Sequence, residues 1–372
     1  MSIINYLSTI DFEFGAISGI YSTLLDLGIA RPMLVTDRGI FAAGLFDQIC
    51  EKLPRNSLSA VFDQTPSNPT EESVTAGVAL YKEHTCDGII ALGGGSSMDL
   101  AKIIALMGTH PGPLASYSVP ENGSACITDK VAPVIAIPTT AGTGSEVGRA
   151  ALIAMIDGRK IGFISPHLIP KYAICDPDLT IGLPPYLTAA TGMDALAHCI
   201  EAFLSPAINP PADAIALDGL VRAISYIEKA TKDGSDQDAR WQMMMASLEG
   251  GLAFQKGLGA VHALSHPLGG LRAPILHHGT LNAVFLPAVL RFNAKSAEQK
   301  FETLQAIMEG DPVQIILELN RRLGLPASLG DMDVPDAIFP EIANAAAMDH
   351  CTATNPRSAT AADYRLLLEE SF

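Results

Sequence analysis

The stretch Gly192-Met193-Asp194-Ala195-Leu196-Ala197-His198-Cys199-Ile200-Glu201 reads as helix, because Ala and Leu dominate it and neither Pro nor a further Gly follows Gly192. On a helix, residues four apart share a face, and Asp194 and His198 have that spacing. A carboxylate and an imidazole side by side on an apolar helix can grip one divalent cation from the same side. Alone, the pair reads as readily as a hydrogen-bonded polar pair in a packed core. Further on, Val261-His262-Ala263-Leu264-Ser265-His266 repeats the four-residue spacing, and His277-His278-Gly279 follows closely. Five of the nine histidines thus fall between 198 and 278, in segments that are otherwise apolar and helical. One carboxylate, two helical pairs and a terminal histidine point to a metal site.

Outward from that stretch, the two halves of the chain differ in texture. Before it, short apolar runs at 33–36, 60–62, 88–92 and 131–137 alternate with amphipathic helical patterns at 17–28, 40–53, 71–84 and 97–107. That alternation predicts a parallel sheet with helices on both faces. The runs 150–156 and 160–164, joined at Asp157-Gly158, read as a hairpin, and 172–175 as a last strand. After Leu183-Pro184-Pro185 nearly everything is Ala/Leu-rich at helical period, including 211–230, 237–254, 296–309, 313–323, 336–347 and 359–370. The expected fold is a Rossmann-like α/β nucleotide-binding domain over 1–180, then an all-α domain over 181–372 that carries the metal and substrate residues.

At 372 residues the chain exceeds one ordinary core, which agrees with two domains. A 48% apolar and 17% charged composition fits a compact globular protein and excludes disorder. The net charge of −16, with no Lys/Arg cluster, argues against a nucleic-acid partner. Six scattered cysteines, without a Cys-x-x-Cys pair or a secretory start, predict a reducing cytoplasm. No apolar run is long enough to predict a membrane span.

Two loops have the chemistry to hold a nucleotide. The 88–92 run leads into Gly93-Gly94-Gly95-Ser96-Ser97-Met98-Asp99 and then a helix. Glycines at a strand exit let backbone N–H groups crowd a diphosphate, and the helix dipole favours its charge. The Gly-x-Gly-x-x-Gly fingerprint after the first strand is absent, so a standard dinucleotide loop is not expected. Asp37, at a strand's C-terminal end, could accept hydrogen bonds from a ribose and repel a 2′-phosphate, favouring NAD. It could equally cap the helix that follows. The second loop, Pro138-Thr139-Thr140-Ala141-Gly142-Thr143-Gly144-Ser145-Glu146-Val147, offers hydroxyls and free backbone donors to phosphate, ribose or nicotinamide.

Taken together, the chain resembles the iron-containing (group III) alcohol dehydrogenase family along its whole length, from Phe14-Gly15 and Val35-Thr36-Asp37 to Asn355-Pro356-Arg357. The most specific matches are Gly93 to Asp99, Pro138 to Val147, Gly192 to Glu201, Ala253-Phe254, and His262 with His266-Pro267-Leu268-Gly269. The resemblance implies a dehydroquinate synthase-like architecture, with NAD(H) and a metal in the cleft between the domains. The metal ligands would be Asp194, His198, His262 and the His of the His-Gly pair, with Fe²⁺ as the usual ion and Zn²⁺ in some members. Cofactor positions would be Asp37, Asn68, Gly94, Gly95, Ser96, Asp99, Thr139, Thr140, Thr143, Ser145 and Lys160. Phe254 would form an apolar wall of the substrate site. His266 would lie near the nicotinamide, as a proton-passing group or as a partner of the ligands.

The resemblance departs at one point. The family's Pro-His-Gly here reads Pro274-Ile275-Leu276-His277-His278-Gly279, which leaves His277 and His278 as alternatives for the fourth ligand. Adjacent helical residues diverge by about 100°, so only one can face the ion. Loops absorb insertions more easily than helices, so the His touching Gly279, His278, is expected to keep the ligand's place. Lys256 is expected near the cleft mouth, where it would draw in carboxylated substrates, although a solvated surface lysine is the plainer reading.

The expected activity is metal-dependent and NAD(H)-linked. It interconverts a small alcohol, hydroxyacid or diol with its aldehyde or ketone, in a cytoplasmic homodimer. The alternatives are a metal-free, maleylacetate reductase-like enzyme, for which Asp194, His198 and His262 would have no use, and a dehydroquinate synthase-like lyase, which would need more Lys and Arg around its anionic substrate.

Overall fold

In a computed structural model, which describes residues 4, 6, 8–271 and 273–372, the chain divides into two compact units. One comprises residues 6–140 and 144–182; the other is built on 183–372 and takes in 141–143.

The first unit is a six-stranded parallel sheet in the order β1-β8-β5-β4-β2-β3, with a separate antiparallel hairpin, β6-β7. The strands are β1 (Thr9–Phe12), β2 (Pro32–Val35), β3 (Ala60–Phe62), β4 (Gly88–Gly93), β5 (Val134–Pro138), β6 (Ala150–Ala154), β7 (Lys160–Ile164) and β8 (Tyr172–Cys175). Its helices are α1 (Ile20–Asp26), α2 (Arg38–Ala42), α3 (Leu45–Glu51), α4 (Glu71–Glu83) and α5 (Gly95–Thr109). Strands β4 and β5 are buried at every position, as strands covered on both faces must be. The helical pattern over 40–53 is not one helix: Gly44, at φ 73°, turns the chain between α2 and α3.

Strand β1 has no clear sequence signal, being four residues long and only half-buried. It is fixed by a remote residue. The carboxylate of Asp176, at the end of β8 and fully buried, accepts hydrogen bonds from the backbone N–H groups of Gly15 and Ile17, which follow β1.

A buried ion also braces this unit. Lys102, 0% exposed on α5, donates from Nζ to Ser145 Oγ (2.7 Å), Gly148 O (2.9 Å) and Ala150 O (2.9 Å). Burial pulls its pKa down to about 8, although the nearby carboxylates of Asp99 and Glu146 resist the shift. Lys102→Met would leave the carbonyls of Gly148 and Ala150 without this donor and the carboxylates of Asp99 and Glu146 without their buried cation, so it should cost about 3 kcal/mol or more. Chemical denaturation measures this; an unchanged midpoint would refute the bracing role.

The second unit is helical: α6 (Pro185–Leu204), α7 (Pro210–Lys232), α8 (Gln237–Ala253), α9 (Ala260–Gly269), α10 (His278–Asn293), α11 (Glu298–Met308), α12 (Pro312–Leu323), α13 (Phe339–Met348) and α14 (Ala361–Glu370). Helix α6 is buried almost all round, from Thr188 to Leu204, and forms the axis of this unit's core. Among the described residues, no helix is long and apolar enough to cross a membrane.

Candidate active site

Three helices of the second unit converge on one carboxylate. Asp194 and His198 lie on α6, His262 on α9 and His278 in the first turn of α10. From Asp194 Oδ1 the Nε2 atoms of His198, His262 and His278 are 3.9, 3.8 and 3.7 Å away. Asp194, His262 and His278 can offer donor atoms all within 4.8 Å of one another. A four-coordinate cation with bonds of 2.0–2.2 Å sets its donors roughly 3.4 Å apart, so these three fit one ion with small adjustments, while His198, 3.9 Å from Asp194 Oδ1, lies outside that tighter group.

The partners of each imidazole decide which nitrogen faces the ion. His198 Nδ1 is 3.3 Å from the carbonyl of Gly142, and His262 Nδ1 is 2.6 Å from Glu201 Oε2. An N–H donated there leaves each Nε2 with its lone pair directed toward Asp194. Glu201 also accepts from the backbone N–H of Val261 at 2.8 Å, so it holds the start of α9 as well as the ring. Asn355 Oδ1 does the same for the N–H of Ala260, which gives the Asn355-Pro356-Arg357 segment a structural purpose. Burial lowers the His198 pKa to about 4, keeping the ring neutral and able to ligate. Burial also pulls on His262, but the hydrogen bond and charge of Glu201 outweigh it and the net shift is upward.

Asn282, one helical turn after His278 and fully buried, adds a contact that sequence reading missed. Its Nδ2 donates to Asp194 Oδ1 at 2.7 Å and lies 3.2 and 3.3 Å from Nε2 of His262 and His278. The i,i+4 spacing from His278 was the available signal. Its Oδ1 is buried without a hydrogen-bond partner, a feature of sites that hold an ion or water.

His277 does not join the set. It sits at the N-cap of α10, where its Nδ1 is buried without a partner and burial lowers its pKa. Phe254 closes one side, its ring 5.2 Å from that of His198. His266, 5% exposed, has Nδ1 2.9 Å from Asp349 Oδ2, which leaves Nε2 as the acceptor nitrogen. Its ring lies 5.7 Å from that of His262 and 5.6 Å from that of His278.

In the first unit, β4 runs into Gly93 at φ 143°, where a Cβ would lie 2.7 Å from Ser97 Oγ. Gly94 precedes the first turn of the 15-residue α5 without any side-chain cap, so the leading N–H groups are open to an anion. Asp37 does cap α2, accepting from the N–H of Gly39 and Ile40 through Oδ1, while Oδ2 lies 3.4 Å from Ser97 Oγ. Asn68 Oδ1 accepts from Lys160 Nζ at 3.1 Å, which pairs two expected cofactor residues from distant segments. Thr139 is buried and its N–H bonds to Gly93 O, while Thr140 Oγ1 would be 3.3 Å from a Cβ at Gly94. Asp99 and Ser145 bond to each other. Ser145 Oγ donates to Asp99 Oδ1 and accepts from Lys102, and Asp99 Oδ2 accepts from Leu152 N–H. Both therefore brace β6. Thr143 belongs with the helical unit.

Comparison with known proteins adds an independent line. The profile of iron-containing alcohol dehydrogenases matches residues 8–177, and the C-terminal profile of the Fe-containing alcohol dehydrogenase family matches 188–372. The chain belongs to the iron-containing alcohol dehydrogenase family. It is 55% identical to 4-hydroxybutyrate dehydrogenase of Cupriavidus necator, with 100% of both chains covered. Against alcohol dehydrogenase 4 of Saccharomyces cerevisiae the identity is 38%, covering 93% of this chain and 92% of the relative. A crystal structure of 1,3-propanediol oxidoreductase superposes with a TM-score of 0.93 at 34% identity, with 100% of both chains covered.

Within this dehydrogenase, the expectation for Lys256 fails. Its side chain is 0% exposed, and Nζ donates to Phe203 O (3.1 Å) and pairs with Asp213. Lys300 Nζ joins it on Phe203 O and Ser205 O. Two ammonium groups thus cap the C-terminal end of α6, where the helix dipole is negative, and Lys256 is buried away from any substrate in solution.

Proposed function

We propose that this enzyme is a metal-dependent, NAD(H)-linked dehydrogenase of small ω-hydroxyacids. The observation that carries the reading is the convergence of three imidazole nitrogens on one oxygen of Asp194, at 3.7–3.9 Å. It favours the metal-dependent activity over a metal-free reductase. The substrate class is supported by 55% identity to a 4-hydroxybutyrate dehydrogenase across the whole chain.

In this reading Asp194, His198, His262 and His278 hold Fe²⁺ or Zn²⁺, with Glu201, Gly142 O and Asn282 fixing their orientation. When bound, the cation supplies a Lewis acid for the substrate oxygen and NAD supplies the hydride acceptor. Phe254 offers the substrate's carbon chain an apolar surface. His266, its Nδ1–H committed to Asp349, keeps Nε2 available to receive the proton of the alcohol. The uncapped start of α5 at Gly94, Gly95 and Ser96 receives the cofactor's diphosphate, with Asn68, Thr139, Thr140, Thr143 and Lys160 as further contacts. A reducing cytoplasm fits six cysteines that are all unpaired. A homodimer is the assembly we expect, and light scattering tests it.

Anaerobic assays with NAD, Fe²⁺ or Zn²⁺, and 4-hydroxybutyrate, 1,3-propanediol and ethanol decide the substrate. The hydroxyacid should give the highest kcat/KM; a preference for ethanol would overturn the substrate class, and full activity after chelation would favour the metal-free alternative. Asp37 gives a separate test. Its charge should exclude a 2′-phosphate, so Asp37→Gly should raise NADP(H) use relative to NAD(H), with a capping loss of only a few tenths of a kcal/mol. A wild type that already prefers NADP(H) would refute the role.

A further inference from the structure

Beside the four converging ligands lies a second group of metal-binding side chains that the mechanism above does not use as ligands. His266 comes from α9, and Asp349, His350 and Cys351 are consecutive in the turn after α13. We propose that these four residues form a second divalent-cation site, suited to Zn²⁺ or Co²⁺, that inhibits the enzyme when filled.

The geometry supports one ion. Each residue can offer one donor atom such that all four lie within 4.8 Å of one another. His350 Nδ1 is 3.5 Å from Asp349 Oδ1, and His350 Nε2 is 3.5 Å from Cys351 Sγ. The rings of His266 and His350 stack 5.6 Å apart and only 14° from parallel, so they present their edges to the same space. A tetrahedral zinc ion, with bonds of 2.0–2.3 Å, sets its donors roughly 3.4–3.8 Å apart, so no pair of donors needs to close by more than about 1 Å. His350, whose side chain is 31% exposed, gives the ion a route from solvent. Asp349 is held in place, because its Oδ1 accepts the N–H of Cys351 at 2.8 Å.

The donor chemistry separates the two sites. One sulfur, two imidazoles and one carboxylate suit a borderline-soft ion, and Mg²⁺ or Ca²⁺ would be poorly served. Burial first, and then the charges of Asp349 and Glu201, push the Cys351 thiol up, so it is protonated at neutral pH. Binding therefore exchanges the thiol proton, released to water, for a metal–sulfur bond. An ion here ligates both His266 and Asp349, which breaks the Nδ1–H hydrogen bond to Asp349 that leaves Nε2 as the acceptor; this inhibitory arm alone rests on the dehydrogenase reading.

The test is an anaerobic Co²⁺ titration of enzyme already carrying one equivalent of catalytic metal. A second equivalent should bind with a thiolate-to-cobalt charge-transfer band. Cys351→Ser should abolish the band, and His350→Ala should weaken binding roughly tenfold or more. Asp194→Ala, lacking the catalytic site, should keep the band. No band in the wild type, or one that persists in Cys351→Ser, would overturn the site; His350→Ala, at a partly exposed position, serves if Cys351→Ser fails to fold. In assays, excess Zn²⁺ should slow the wild type, whereas His350→Ala should turn over at the wild-type rate and resist Zn²⁺. Equal inhibition of both proteins would overturn the inhibitory role without touching the cobalt result.

Discussion

His278→Ala is expected to purify with little metal and almost no turnover, while His277→Ala keeps nearly a full complement of both. The two residues are neighbours, but only His278 brings Nε2 to 3.7 Å from Asp194 Oδ1. Lewis-acid stabilisation of a developing oxyanion is worth several kcal/mol, so losing it should cost roughly a thousandfold or more in kcat. Asp194→Ala and His262→Ala should behave like His278→Ala. NAD binding, measured by fluorescence titration, should survive in all three, because α5 and its glycine turn lie in the other unit. Elemental analysis of the paired His variants is the deciding measurement. A metal-free His277→Ala beside a metal-replete His278→Ala would mean that the start of α10 is placed in the wrong register.

Gly279→Ala should be nearly as damaging, though it touches no ligand atom. A Cβ at this position would sit 2.1 Å from the carbonyl oxygen of Ala190 and 3.2 Å from Asp194 Cβ. The nearer of these is backbone within a buried helix, so it cannot swing aside as a long side chain could. Relief requires the first turn of α10 to back away from α6 by about 1 Å, carrying His278 with it. Misplacement on that scale can cost about a hundredfold in rate, and overpacking of this kind typically costs 1–3 kcal/mol. The sign makes the result diagnostic. At an unconstrained helix position the same change should stabilise by roughly 1 kcal/mol. Thermal melts and metal content of Gly279→Ala read both effects, and a more stable variant with full metal would refute the close approach of α10 to α6.

The sequence by itself determined what depends on local pattern. The alternation of apolar runs and helices before residue 180 predicted the parallel sheet and hairpin, and the uniform helical period after Pro185 predicted the second unit. The Asp194/His198 and His262/His266 spacings named the polar faces of α6 and α9, because side chains four apart share a face whatever packs against it. Asp37 at a strand end could be read as a cap or a ribose acceptor, and the structure shows the cap. Tertiary structure alone decided the rest. It chose which faces meet, bringing α6, α9 and α10 to one carboxylate oxygen, and it separated His278 from His277 by the approach that Gly279 permits. It also supplied the partners of buried polar groups: Glu201 for His262, Gly142 O for His198, Asn282 for Asp194, and Asp176 for the otherwise illegible β1. Lys256 makes the point in reverse, since a lysine near a catalytic helix reads as exposed until Asp213 and the end of α6 are seen to claim it. Periodicity reports whether a face is buried; what lies across from that face is set by contacts distant in the chain, which no local pattern encodes.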